Sequence, residues 1–319
     1  MLYAVMSDVH ANPQALARAL ADAREQGAEK FICLGDVVGY GPDAVGAVAL
    51  ARASFDVVLM GNHDAATAGL IPAFTFRPEA RAGVYRHGHE LSDDDLSWLR
   101  QLPYVYHART FWAAHGSLAD AEAFPYIGTE AAAWEAFGAM GATPLLFVGH
   151  THTSLWVEAR AGSSELEVAR TAARALARGG RAIANVGSVG YPRNEPESVY
   201  ALYDSRRRVV MWRRLPFDYA GYFAQMEAKG IYIAPWLRAN ARAARQGREC
   251  LLMSFSSCAC SSTASLFRMD ERMLPGGNPA RPPREDELGG CCLDMAWNRD
   301  RQREEGECPT RHRPRCFYS

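Results

Sequence analysis

The sequence predicts an α/β fold, and three observations carry that prediction. Short apolar runs alternate with helix-patterned segments from the first residue onward. Many of these runs stop at a Gly or Ser followed at once by Asp, Asn or His. Hydrophobic residues make up 48% of the 319 positions, enough to bury a sizeable core.

The first run, Leu2-Tyr3-Ala4-Val5-Met6, reads as a strand and ends at Ser7-Asp8-Val9-His10. Asn12 is placed to cap a helix with Pro13 at its first position, and apolar periodicity carries that helix to about Gln26. Residues 31–34 form a second buried strand, closed by Gly35-Asp36. Gly39-Tyr40-Gly41-Pro42 is a turn, and 43–52 a second helix. Residues 57–60 are a third strand, ending at Gly61-Asn62-His63-Asp64. This alternation requires crossover connections and a largely parallel sheet.

Residues 76–101 read as helical. Ser92 caps a first turn holding Asp93-Asp94-Asp95, where carboxylates suit the helix dipole. The triplet is not a metal site, because consecutive helical positions point in different directions. Residues 104–106 and 109–114 form a strand pair, the second ending at His115-Gly116. A helix over 130–140 leads to Leu145-Leu146-Phe147-Val148-Gly149-His150-Thr151-His152-Thr153, a buried strand with two histidines past its end. If the chain stays extended there, His150 and His152 point the same way. Residues 155–159 and 183–186 read as strands, and 165–178 fits either a hairpin or a helix. A glycine-rich loop at 187–194 precedes a hairpin of 199–203 and 209–213. Two amphipathic stretches, about 219–229 and 235–246, close the folded body.

Charge narrows the function classes. The formal net charge is −1, with 35 Lys and Arg against 36 Asp and Glu, which leaves no electrostatic footprint for a nucleic acid or a membrane surface. No apolar run reaches the roughly 18 residues of a membrane span. The chain enters its first strand without a basic leader, so a cytoplasmic location is expected. Cys33 stands alone before Cys250, so the body is not a disulfide scaffold. Beyond 250 neither a helical nor a strand period persists. The domain boundary is therefore expected at 249, with residues 1–249 as the folded domain and 250–319 as a low-complexity, disordered extension. Its Cys and His spacing does not match that of zinc fingers.

Five strand ends deliver ligand-type residues: Asp8 and His10; Asp36; Asn62, His63 and Asp64; His115; and His150 with His152. Sites in α/β sheets form outside the carboxyl ends of strands, so these distant segments are expected to converge. Carboxylate, imidazole and amide donors together suit divalent metals, Mn²⁺ first, with Fe, Zn²⁺ or Ni²⁺ also compatible. Mg²⁺ prefers oxygen and water, and no thiolate is on offer.

The ordered blocks Asp8-x-His10, Gly35-Asp36, Gly61-Asn62-His63-Asp64, His115-Gly116 and Gly149-His150-x-His152 resemble those of calcineurin-like metallophosphoesterases. Gly35-Asp36-x-x-Gly39-Tyr40-Gly41-Pro42 and Asn185-Val186-Gly187-Ser188-Val189-Gly190 resemble a bacterial small-phosphodiesterase branch of that superfamily. The resemblance implies a four-layer α-β-β-α sandwich of two mixed β-sheets flanked by helices, with two metals at the strand ends. Carried onto this chain, it implies Asp8, His10, Asp36 and His152 around the first metal. Asp36 would bridge to the second, completed by Asn62, His115 and His150. Such a pair would yield hydroxide at neutral pH for in-line attack on a phosphodiester or phosphoanhydride of small-nucleotide type. The resemblance gives His63 no metal and sets it at the leaving oxygen as proton donor or charge stabiliser, with Asp64 orienting its ring.

Candidate substrate contacts are Arg193, which either clamps a second phosphate bidentately or makes a surface salt bridge, and Tyr40, which either stacks on a base or packs. Tyr191 and Asn194 stand where the branch pattern has Gln and Asp. His87, His89 and His107 read as ordinary core or surface histidines. The expected partner is a small phosphorylated molecule, a nucleotide in particular; a homo-oligomer is compatible with the sequence. The competing function is an interaction scaffold whose site has decayed, against which the retention of His63 argues.

Overall fold

The computed structural model describes residues 1–256 of the chain. Strand β1 (Leu2–Met6) leads to α1 (Pro13–Glu25), whose cap Asn12 accepts the Ala15 N–H, with Pro13 at the first helical position. The alternation continues through β2 (Lys30–Cys33), α2 (Ala44–Ser54), β3 (Val57–Val58) and α3 (Asn62–Thr67). The segment expected as one helical stretch is two helices, α4 (Pro78–Glu90) and α5 (Asp93–Arg100). They part because Leu91 turns extended and Ser92 starts a new cap, its hydroxyl accepting the Asp95 N–H. The Asp93–Asp95 carboxylates sit in that first turn, as capping requires.

The second half runs through β4 (Val105–His107), β5 (Trp112–Ala114), α6 (Glu130–Ala139), β6 (Leu145–Val148) and β7 (Ser154–Ala159). Then come β8 (Leu166–Ala169), β9 (Ala173–Ala175), β10 (Arg181–Val186), β11 (Ser198–Asp204), β12 (Val209–Leu215), α7 (Tyr219–Ala228) and α8 (Pro235–Ser256). The 165–178 segment is neither helix nor hairpin: β8 pairs with β7 while β9 pairs with β12, so the chain crosses from one sheet to the other. Helix α8 runs past the expected boundary at 249; the rest of the 250–319 extension lies outside the described residues.

Two mixed six-stranded sheets result, ordered β3-β2-β1-β11-β12-β9 and β4-β5-β6-β10-β7-β8. In the first, β1, β2 and β3 are parallel; in the second, β5, β6 and β10 are parallel. Side-chain alternation divides the strands between layers. From β1, Val5 packs into the layer between the sheets with Ile32, Phe147, Ala184 and Tyr203, while Ala4 and Met6 turn outward to meet Leu16 and Leu20 of α1. From β6, Leu145 and Phe147 face inward, and Leu146 and Val148 meet Ala133, Ala136 and Phe137 of α6. Strands buried on both faces need helices outside them, which makes the molecule a four-layer α-β-β-α sandwich.

Candidate metal centre

The carboxyl ends of the parallel strands build the site. On the first sheet, β1 leads into Asp8 and His10, β2 into Asp36, and β3 into Asn62 and His63. On the second, β5 leads into His115 and β6 into His150 and His152. Backbone hydrogen bonds stitch these loops together. Asp8 N–H donates to the Gly35 carbonyl at 3.0 Å, His10 N–H to that of Asp36 at 2.9 Å, and Gly149 N–H to that of His115 at 2.9 Å. Gly149 must lack a side chain: a Cβ there would lie 2.0 Å from Ser7 Oγ and 2.7 Å from Asp8 Oδ2.

The chain does not stay extended through the histidine pair. His150 and His152 have φ of 66° and 59°, and Asp8, His10 and Asp36 are also left-handed, at 55°, 47° and 53°. Such backbone costs about 1–3 kcal/mol per residue and persists where surrounding structure enforces it. The turn sends the two imidazoles to different places. His152 joins Asp8 and His10, while His150 joins Asp36 and His115. Asp36 also groups with His10 and His63, so its carboxylate lies between the two clusters.

Each carboxylate is divided in function. Asp8 Oδ2 accepts the His150 N–H at 3.0 Å, leaving Oδ1 3.1 Å from His152 Nε2 and 3.6 Å from His10 Nε2. Asp36 Oδ1 accepts the His63 N–H at 2.8 Å, leaving Oδ2 3.3 Å from His115 Nε2 and 3.6 Å from His10 Nε2. The imidazoles are divided in the same way. His10, His115 and His152 donate their Nδ1 protons to the carbonyls of Val38, Leu34 and Tyr191 at 3.0, 3.1 and 2.7 Å. Their Nε2 atoms, when neutral, therefore carry lone pairs. His10 Nε2 and His152 Nε2 lie 3.0 Å apart, and Asp8 Oδ1 and Asn62 Oδ1 are buried without a hydrogen-bond partner. Buried lone pairs converging this closely fit cations, and the donors are of the type that divalent transition metals take.

Protein charges alone already bias these groups. Burial holds His150 down to about 3, aided by the charge on His115, and holds His152 down to about 4, aided by Arg193. For His115 burial acts downward, but the charge and hydrogen bond of Asp36 outweigh it and push the ring up to about 9. Asp36 is held well below the carboxylate range because His115 and His63 outweigh its burial.

Two sequence expectations are corrected here. Asp64 does not orient the His63 ring: its oxygens accept the Val38 N–H at 3.0 Å and the Gly61 N–H at 3.1 Å, tying the loop after β3 to the loop after β2. His63 Nδ1 is buried without a partner, and packing against His10, Tyr40 and Phe76 at 4.9, 4.7 and 5.2 Å sets the ring. Nor is the Tyr40 ring free to stack on a base. It is buried, with Tyr191 stacked on it at 4.3 Å and 8°. Its hydroxyl instead accepts a hydrogen bond from Arg193 Nη2 at 2.9 Å.

A cavity of about 690 Å³ opens beside the two clusters, lined by Asp36, Asn62, His63, His150 and His152. Arg193 lines it too, and among the described residues it has no carboxylate partner. His87 and His107 stand apart: His87 is buried and bonded to the Gly39–Gly41 turn, and His107 packs on Trp112.

A family model described as a calcineurin-like phosphoesterase superfamily domain matches residues 1–208. The chain belongs to that superfamily. A metallophosphoesterase structure from Sphaerobacter thermophilus is 32% identical, with a TM-score of 0.65, covering 75% of this chain and 99% of that one. A hypothetical protein from Pyrococcus horikoshii shares the fold at 18% identity and a TM-score of 0.56, over 72% of this chain and 94% of that one. An uncharacterized protein of Methanocaldococcus jannaschii is 26% identical over 222 residues, 68% of this chain and 88% of its own.

In this member of the superfamily the cavity walls also include residues that sequence reasoning missed: Phe76, Arg77, Tyr126 and Trp236. None belongs to a motif. Trp236 lies outside the matched span, on α8, where Asn240 donates to the Arg193 carbonyl at 2.8 Å. Phe76 and Tyr126 are loop aromatics, which periodicity does not flag, whereas Trp236 is on α8.

Proposed function

We propose that the chain is a two-metal phosphoesterase that hydrolyses a phosphodiester or phosphoanhydride of the small-nucleotide type. The observation carrying this reading is the convergence of buried imidazole nitrogens and carboxylate oxygens on both sides of Asp36, next to a cavity lined by a guanidinium with no carboxylate partner among the described residues. Asp8, His10 and His152 would hold one cation and Asn62, His115 and His150 the other, with Asp36 shared. Mn²⁺ is the expected cation, with Fe, Zn²⁺ and Ni²⁺ as alternatives, since mixed imidazole and carboxylate donors accommodate each of them. When bound, such a pair would supply Lewis acidity, lowering the pKa of a water and neutralising charge on the phosphoryl oxygens.

The chain's own residues do the rest. Arg193, steadied by the Tyr40 hydroxyl and the Asn240 clamp on its carbonyl, binds an anionic oxygen of the substrate. His63 has Nδ1 sealed against the Gly39 backbone, so Nε2 is the ring's polar atom available to the cavity. A hydrogen on that atom serves the departing oxygen, as a hydrogen bond or a transferred proton. The near balance of overall charge supports a small substrate over a nucleic acid.

The test is a metal-by-substrate screen on the full chain. Mn²⁺, Zn²⁺, Mg²⁺ and Ni²⁺ are set against bis(p-nitrophenyl) phosphate, p-nitrophenyl phosphate and a dinucleoside polyphosphate. Metal-dependent turnover of the diester or anhydride above the monoester is expected. Absence of turnover with every metal would refute the reading.

A further inference from the structure

Of the aromatic rings lining the cavity, Tyr126 is the one more than half exposed, at 56%. Tyr40 is buried under Tyr191, while Phe76 and Trp236 are half-buried, meeting His63 and Tyr191 edge to face. Tyr126 lies parallel to the imidazole of His150, with centroids 3.8 Å apart and planes 17° from parallel. A ring stacked by one face keeps the other free, and this ring belongs to the cavity wall. Its free face therefore offers a flat apolar surface within one ring thickness of the second cluster. A large aromatic side chain left half in water gains little for folding there.

The neighbourhood is suited to a ligand that is aromatic at one end and anionic at the other. Arg77 and Arg193 line the same cavity, and among the described residues neither is in an ion pair. Thr75, Thr151 and Asn194 add polar groups that can meet the edge of a heterocycle. The sequence position is unremarkable, in the loop between β5 and α6, which explains why no motif marks it.

We propose that Tyr126 is the stacking platform for the nucleobase of a phosphorylated nucleoside whose phosphate sits at the Asp8–His152 and Asp36–His150 clusters. This rests on the phosphoesterase reading. The ring selects the substrate by binding one of its groups and takes no part in bond cleavage. Stacking is tolerant of base identity because every base has a π-face.

The experiment is calorimetric titration of the Mn²⁺-loaded full chain with adenosine 5′-monophosphate and with ribose 5-phosphate, which carries a hydroxyl at C1′ in place of the base. Wild-type protein is expected to bind the nucleotide about tenfold or more tightly than the sugar phosphate, the size of one base on one aromatic side chain. Tyr126→Leu should erase that difference while leaving ribose 5-phosphate affinity and bound manganese unchanged; Tyr126→Phe should keep it. Equal affinity of wild type for the two ligands overturns the platform and leaves the phosphoesterase reading standing. So does an equal loss for both ligands in Tyr126→Leu, or a loss of manganese, since either assigns Tyr126 to holding His150. If neither ligand binds and inorganic phosphate does not bind either, the phosphoesterase reading falls, and this proposal with it.

Discussion

His10 and His152 face each other Nε2 to Nε2 at 3.0 Å, and each has already committed its Nδ1 proton to a carbonyl, Val38 for one and Tyr191 for the other. Two neutral rings so placed present lone pair to lone pair in a buried space. A cation between them converts that repulsion into binding. Loaded protein should therefore be more stable than chelated protein, by about 2.7 kcal/mol at a hundredfold excess over Kd. A fall in Tm of several degrees on adding EDTA is expected; an unchanged Tm would contradict the ligand assignment.

Metal loading should also release protons, with a sign set by His115. Asp36 raises this ring to about 9 in the folded chain, against about 6.5 when unfolded. In the metal-free chain its stabilising effect is complete below 6.5 and disappears as pH rises through 9. A metal must displace that proton below 9, so apparent affinity weakens as pH falls. Titration with Mn²⁺ at pH 8 in buffers of different ionisation enthalpy should show about one proton released. No release at pH 8 would exclude His115 as a ligand.

His63 and Asp64, adjacent in sequence, should fail differently. His63→Ala should keep both metals and lose about 10²-fold or more in kcat, the size of an acid–base contribution. Asp64→Ala removes the acceptor for two buried N–H groups, at Val38 and Gly61. Its expected cost is about 1–3 kcal/mol of stability for each group left unsatisfied, accompanied by weaker metal binding. Denaturant unfolding and metal analysis of both variants separate the two roles. Intact stability in Asp64→Ala would restore Asp64 to the catalytic side.

His87 should govern part of the acid limb of stability. Its Nδ1 accepts the Gly39 N–H and its Nε2–H donates to the Gly41 carbonyl, each at 3.0 Å, which requires a neutral ring. Burial, aided by the Arg86 charge, holds it down to about 3, against about 6.5 unfolded. The unfolded state binds more protons between those values, so this contribution is full above 6.5 and is lost as pH falls toward 3. His87→Phe should be less stable at pH 7 yet show a flatter decline from pH 7 to 5 in urea titrations. A slope equal to that of wild type would rule this out.

Gly149→Ala should be severe for its size. The added methyl meets Ser7 Oγ and Asp8 Oδ2, both fixed in the loop after β1. Overpacking of this kind costs about 1–3 kcal/mol, and here the strain falls on a candidate ligand carboxylate. Reduced manganese stoichiometry at unchanged secondary structure is expected; full loading would mean that the loop yields.

Much of this molecule is legible in its amino-acid sequence. The strand–helix alternation announced the parallel halves, and each candidate ligand follows a strand end because that is where a parallel sheet leaves its loops free. The capping of α1 by Asn12 and of α5 by Ser92 followed from local chemistry. The paths of His150 and His152 did not, because a left-handed turn after Gly149 is enforced by contacts with Ser7 and Asp8, far away in the chain. The 165–178 segment stayed ambiguous for the same reason: its partners, β7 and β12, belong to different sheets.

By itself, then, the sequence determined most of the element order, the donor types and the family, since these are written in local pattern and in motif order. Tertiary structure alone decided which lone pairs converge, that Asp64 anchors loops, that Tyr40 is covered by Tyr191, and that Tyr126 stands open to the cavity. Most of those outcomes join groups far apart in the chain: Asp64 and Val38 are 26 positions apart, His10 and His152 are 142 apart, and Tyr40 and Tyr191 are 151 apart. Such distances carry no periodic signal; packing two sheets face to face sets them.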